Sequence, residues 1–93
     1  MNKEIWKFEL ETTDHQILKM PLGAEILTVQ MQNDTPCLWA LVEPSQEKER
    51  RFIEIFGTGH PLGYDMGVDR KYISTYQLHG GSLVFHVFEN TVF

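Results

Sequence analysis

The chain has 93 residues, of which 42% are hydrophobic, and a formal net charge of -5 at pH 7. This length predicts a single domain over residues 1–93, with a modest core and no second domain. The acidic balance argues against a protein that binds duplex nucleic acid, because such proteins need a basic face to neutralise phosphates.

The apolar segments are short. The longest, Leu38–Val42 and Leu83–Val87, fall far below the roughly 20 residues that span a bilayer. The first ten residues alternate charged and apolar side chains and lack the apolar core of a signal peptide, so we expect a soluble cytoplasmic protein. The single Cys37 has apolar neighbours and predicts a buried, reduced thiol. Small domains often gain stability by self-association, which favours a homo-oligomer.

The first predicted strand runs from Ile5 to Glu11, where apolar and charged residues alternate with the period of a half-buried strand. Residues 12–14 form a turn cluster, and Gln16–Met20 is predicted as a second strand that ends at Pro21. The short turn predicts that these two strands pair as a hairpin.

The third and fourth predicted strands are Glu25–Gln32 and Cys37–Glu43, joined by turn residues 33–36. They are expected to form a second hairpin. The fourth strand is apolar on both faces, which predicts a central strand covered on both sides.

Residues 44–51 are charged and favour helix by propensity, but they lack apolar residues at helical spacing. We therefore expect a solvated loop with at most one helical turn. The remaining predicted strands are Phe52–Phe56, Tyr72–Leu78 and Ser82–Glu89, the last two joined by a compact turn at residues 79–81. Seven short strands predict an all-β fold, a small antiparallel sandwich or barrel.

A glycine-rich loop interrupts this pattern between Gly57 and Gly67, with four glycines in eleven residues. Glycine permits positive φ and close approach of the backbone to a ligand, and function tends to lie on such loops. The loop lacks the Gly-Lys-Ser/Thr ending of a phosphate loop and precedes no obvious helix, so a nucleotide hydrolase is not indicated.

The loop and the residues after it suggest a pocket for a small anionic ligand that carries a base. Backbone donors and cations suit phosphate, and tyrosine rings suit stacking under the base. The candidate ligand-binding residues are Gly57, Gly59, His60, Tyr64, Arg70, Lys71, Tyr72 and Tyr76. The alternative is that the two cations cap a strand end while the tyrosines fill one face of a sheet.

No pattern names a reaction, a metal or a cofactor. The four histidines do not stand at the spacing of a metal site, and no nucleophile–base signature is present, so we expect a protein that is not an enzyme. His15 and His79 lie in predicted turns, and His86 is expected in a core or an interface. Asp65 and Asp69 are expected to be solvated loop acids.

Four segments together resemble a family of short bacteriophage and prophage proteins of unknown function. They are Ile5-Trp-Lys-Phe-Glu-Leu10, Cys37-Leu-Trp-Ala-Leu41, Ile55-Phe-Gly-Thr-Gly-His-Pro61 and the run from Tyr72 to His86. The resemblance covers nearly the whole chain and implies a viral origin. By analogy with small phage proteins that act by binding, it suggests a sponge that sequesters cyclic-nucleotide signals of bacterial antiviral defence.

Two functional hypotheses follow from these patterns. The first is a homo-oligomeric, non-enzymatic protein that binds a small anionic ligand, most specifically a cyclic-nucleotide immune signal. The second is a protein-interaction module, either an inhibitor of a host protein or a small virion or assembly component, that uses an edge strand or an apolar patch.

Overall fold

A computed structural model describes residues 2–62 and 69–91 of the chain. Three residues named above, Tyr64, Asp65 and Gly67, lie outside these ranges. The strands are β1 (Glu4–Glu9), β2 (His15–Pro21), β3 (Glu25–Gln32), β4 (Thr35–Val42), β5 (Lys48–Gly57), β6 (Arg70–Leu78) and β7 (Leu83–Asn90). A 3₁₀ turn at His79–Gly81 separates β6 from β7.

The strands form two antiparallel sheets that pack face to face. One sheet has the order β1-β4-β3 and the other has the order β2-β5-β7-β6. This arrangement confirms the predicted all-β fold of about seven short strands, and of the two expected architectures, sandwich or barrel, it is the sandwich. Among the described residues, no helix has the length and hydropathy needed to cross a bilayer.

The core lies between the sheets and is built from alternate residues of almost every strand. From β4 it takes Leu38, Ala40 and Val42, all fully buried. Other buried members are Met20, Val29, Ile53, Ile55, Tyr76 and Val87. Since successive strand residues point to opposite faces, the alternation visible in the sequence is the alternation that fills this layer.

The two hairpins with the shortest connections are confirmed. β3 pairs with β4 around the turn at Asn33 and Asp34, which both have the positive φ that a two-residue hairpin turn requires. β6 pairs with β7 across the turn at residues 79–81. As predicted, β4 is a central strand; Cys37 on its outer face is buried, whereas Trp39 and Leu41 there are half-buried.

The predicted hairpin between the first two strands is wrong. β1 pairs with β4 in the three-stranded sheet, and β2 pairs with β5 in the four-stranded sheet. Residues 12–14 therefore carry the chain from one sheet to the other. A short turn fixes only that two strands are close, and the apolar faces of β1 and β2 are better covered across the sandwich than beside each other.

The expected loop at residues 44–51 is shorter than predicted. β5 begins at Lys48, so Lys48–Arg51 belong to the strand and pair with Leu18–Pro21 of β2. Neighbouring strands override the helical propensity of these charged residues, because pairing satisfies their backbone groups. Arg51 then faces the interior, in phase with Ile53 and Ile55.

Candidate functional site

Arg70, a predicted phosphate ligand, is paired with a carboxylate of the same sheet. Its guanidinium lies on the outer face of the four-stranded sheet and donates hydrogen bonds to both carboxylate oxygens of Glu54, at 2.7 and 3.4 Å. The same group lies over the ring of Phe56, with 5.5 Å between the guanidinium carbon and the ring centroid. Its charge is therefore balanced within the fold, and a phosphate would have to compete with Glu54.

Lys71 points to the other side of β6 from Arg70, because consecutive residues of a strand face opposite ways. Arg70 and Lys71 thus lie on different faces of the sheet, although the sequence suggested that both bind one phosphate. Lys71 lies directly across from Glu89 in the β6–β7 register. It forms no ion pair with any residue in the described ranges.

A β-bulge in β6 separates the two tyrosines that the sequence placed on one face. The register shifts between Tyr72 and Ser74, so one extra residue reverses the alternation. The ring of Tyr72 lies on the outer face, 55% exposed, with its centroid 5.5 Å from that of Phe88. Tyr76 lies in the core, 3% exposed, where its hydroxyl shares a 2.8 Å hydrogen bond with Thr12. Burial raises the pKa of Tyr76 above its ordinary value, and the bond to Thr12 opposes this shift.

The described part of the glycine loop forms a turn at the end of β5. Gly57 closes the strand opposite Phe85, Gly59 adopts a positive φ of 83°, and the His60 amide donates to the Gly57 carbonyl at 3.0 Å. The ring of His60 meets the ring of Phe56 edge to face at 6.3 Å. His60, Arg70 and Tyr72 thus share the outer aromatic face, whereas Lys71 and Tyr76 do not.

A hydrogen-bonded chain that no sequence pattern predicted crosses this outer face. The two ring nitrogens of His86 bond to Thr58, at 2.7 Å, and to Thr75, at 3.0 Å. Thr75 in turn shares a 2.6 Å bond with the hydroxyl of Tyr72. His86 is half-buried and satisfied, so it holds the loop after β5 against β6 and has no open position for a ligand.

A concave feature with charged walls lies where the two sheets meet at β3 and β6. We call it the seam cleft: a cleft of about 430 Å³ lined by residues 23–27 of one sheet, residues 71–73 of the other, and Arg51 and Glu89. Beyond it, the Ser74 hydroxyl donates to the Val29 carbonyl at 2.9 Å and bridges the two strands. Two predicted site residues, Lys71 and Tyr72, line this cleft.

A buried ion pair forms the base of the seam cleft. Arg51 donates two hydrogen bonds to the carboxylate of Glu89, at 2.5 and 3.0 Å, and a third to the Ala24 carbonyl at 2.8 Å. The hydrogen bond to Glu89 raises the pKa of Arg51 despite its partial burial. The ion pair joins β5 to β7, and the bond to Ala24 joins them to the residue that precedes β3, which fixes the shape of the cleft.

The sequence carries a signal for this pair, although the patterns considered above do not include it. Arg51 is in phase with the core residues Ile53 and Ile55, and Glu89 is in phase with Val87. A charged residue on an apolar strand face needs a partner of opposite sign, because an unpaired buried charge is costly. Two such residues of opposite sign predict an internal ion pair.

The formal charges around the seam cleft cancel. Arg51 and Lys71 are positive, and Glu25 and Glu89 are negative. This balance does not favour a polyanion. Within the described ranges no cluster of three or more His, Cys, Asp or Glu side chains is placed to hold a metal ion. Cys37 is buried, as predicted.

Comparison with known proteins gives a family and no activity. Neither the curated proteins nor the solved structures contain a match to this chain. A family model described as a domain of unknown function, DUF7352, matches residues 1–93. The match covers every strand of both sheets, and the chain therefore belongs to the DUF7352 family.

Proposed function

We propose that this chain is a non-catalytic protein-interaction domain that receives part of a partner protein in the seam cleft. The observation that carries the proposal is that two edge strands, β3 and β6, lie side by side with a cleft between them. No backbone hydrogen bond joins them within the described ranges. Edge strands carry backbone donors and acceptors that a partner is able to pair with.

The rigidity of the cleft supports the same reading. Its base is the Arg51–Glu89 pair, and its far end is closed by the Ser74–Val29 hydrogen bond. A preformed cleft loses little conformational entropy when it is occupied, which favours binding. Its charged groups are already balanced, so a ligand of mixed polarity fits it better than a strongly charged one.

A matched pair of variants tests the proposal. Leu27 lies in the cleft wall and is 42% exposed, whereas Ile5 is 61% exposed on β1, away from the cleft. We expect Leu27→Trp to fill the cleft and abolish binding, while Ile5→Trp leaves binding unchanged. A partner identified by affinity capture would be purified separately and titrated against the three proteins. Equal binding to all three would exclude the cleft as the interaction site.

A small anionic ligand, including a cyclic-nucleotide immune signal in a phage-encoded sponge, is a second candidate. It is favoured by the Lys71 ammonium, which lines the cleft without an ion pair to a described residue. The test is thermal stabilisation by a panel of cyclic dinucleotides and cyclic ADP-ribose isomers. Lys71→Ala is the informative variant, since Arg70→Ala also breaks the ion pair with Glu54. Lys19→Ala, on the opposite edge of the same sheet, is the control.

A further inference from the structure

The backbone of β6 presents polar groups to the seam cleft. The Thr91 amide donates to the Asp69 carbonyl at 3.0 Å, one step beyond the pair formed by Arg70 and Asn90. In an antiparallel ladder, hydrogen-bonded and non-hydrogen-bonded pairs alternate along the strands. The backbone N–H and C=O of Lys71 are therefore hydrogen-bonded to β7, whereas the N–H and C=O of Tyr72 point away from β7. Among the described strands none pairs with β6 on the side away from β7, and the N–H and C=O of Tyr72 point to that side.

The side chains beside this backbone define which residues would fit. The carboxylate of Glu89, opposite Lys71, is already held by two hydrogen bonds from Arg51. Lys71 is exposed and lines the cleft. The neighbouring Ile73 and, across the cleft, Leu27 are apolar. A cation with apolar neighbours suits an acidic side chain between apolar ones.

We infer that the seam cleft takes an extended peptide segment that pairs through its main chain with β6 at Tyr72. The residue of this segment beside Lys71 is acidic, and its two neighbours are apolar. Directly opposed residues of adjacent strands lie on the same face, so the acid meets Lys71 and one flanking residue meets the exposed ring of Tyr72. The other flanking residue lies beside Arg70, whose charge is already paired with Glu54. This inference rests on the proposed function and adds the chemistry of the partner.

The bulges in the two edge strands limit the length of the partner segment that pairs with β6. β3 is irregular between Ile26 and Thr28, and β6 between Tyr72 and Ser74. Bulges interrupt pairing and limit the growth of a sheet at its edge. Beyond them the Ser74–Val29 bond closes the seam. The open part of β6 thus offers pairing for a few residues, in a cleft whose volume of about 430 Å³ lies in the usual range for ligand pockets.

The experiment is a selection of random linear heptapeptides, displayed on mRNA, against the full-length immobilised protein. We expect the enriched peptides to share an apolar–acidic–apolar core, and the same selection on Lys71→Glu to favour a basic residue at the centre. In fluorescence polarisation, a selected peptide should bind Lys71→Glu about five-fold more weakly than the wild-type protein. Lys19→Glu, an exposed lysine on the other edge strand of the sheet, should bind like the wild type.

A second measurement tests main-chain pairing. N-methylation of the peptide amide that faces β6 should weaken binding roughly ten-fold, because it removes one main-chain hydrogen bond. Peptides that tolerate every single N-methylation and bind Lys71→Glu unchanged would overturn this inference while leaving the interaction domain intact. A selection that enriches no peptide would contradict the proposed interaction domain as well.

Discussion

The guanidinium of Arg51 on β5 is bound to the carboxylate of Glu89 on β7 by two hydrogen bonds, inside the sandwich and below the seam cleft. Both side chains are largely buried, with 16% and 10% of their surfaces exposed. Coulomb attraction between the two ions is strong at a buried site, but the free-energy cost of removing each ion from water is also large. The pair therefore fixes the geometry of the cleft more than it adds net stability.

Removal of one member of this ion pair should lower the free energy of unfolding more than removal of both. Glu89→Leu leaves the largely buried Arg51 with only its longer ion pair to Glu49, at 3.8 Å, and should lower the free energy of unfolding by about 3 kcal/mol. The double variant Arg51→Met with Glu89→Leu should lose less than this single variant. Urea denaturation of the four proteins of the cycle measures the difference. Arg50→Met, at the exposed neighbouring position, should change stability by no more than about 0.5 kcal/mol. A double variant less stable than either single variant would contradict this account.

The two glycines at the end of β5 should respond differently to alanine. Gly59 has a φ of 83°, so Gly59→Ala should cost roughly 1–2 kcal/mol although nothing lies within 4 Å of the added carbon. Gly57 has no positive φ, and its added carbon would meet the Phe85 ring at an ordinary 3.7 Å. Gly57→Ala should therefore leave stability within about 0.5 kcal/mol of the wild type. Thermal or urea unfolding compares the two, and equal losses would mean that φ is not the cause.

Stability should fall at alkaline pH through Tyr76. Its pKa in the folded protein is raised above the ordinary value of 10.0, so the folded state keeps a proton that the unfolded chain releases. The contribution of Tyr76 to the free energy of unfolding is fully present below pH 10. It is lost as the pH rises from there through the pKa of Tyr76 in the folded protein. Tyr76→Phe should make the unfolding free energy less dependent on pH in this range. Tyr72→Phe, at an exposed ring, is the control and should keep the wild-type slope.

The bridge between the two edge strands should depend on one hydroxyl. Ser74→Ala removes the 2.9 Å donor of the Val29 carbonyl and should lower the free energy of unfolding by about 1–2 kcal/mol. Amide exchange in β3 and β6 should accelerate more than exchange in β4, because the seam opens first. Ser45→Ala, at an exposed turn residue, provides the comparison and should change neither measurement. Exchange that rises equally in all strands would exclude a local effect.

The placement of the predicted binding residues shows which of their relationships follow from neighbouring sequence and which do not. Arg70 and Lys71 are adjacent in sequence, and this adjacency itself puts them on opposite faces of β6. Tyr72 and Tyr76 have the spacing of one face, but the bulge after Tyr72 moves Tyr76 into the core. The partner of Arg70 is Glu54, two strands away in the four-stranded sheet, and no local pattern identifies it.

The sequence predicts the strands, apart from the first four residues of β5, and the β3–β4 and β6–β7 hairpins. Alternation of apolar and polar residues is a local property, and the turn residues between β3 and β4 and between β6 and β7 act over a few positions. The sequence also shows that Arg51 and Glu89 are in phase with the apolar core residues of their strands. The pairing of β1 with β4 and of β2 with β5, and the cleft between β3 and β6, are visible only in the folded protein. Those choices depend on which apolar faces cover each other best across the sandwich, a sum over contacts between residues distant in the chain.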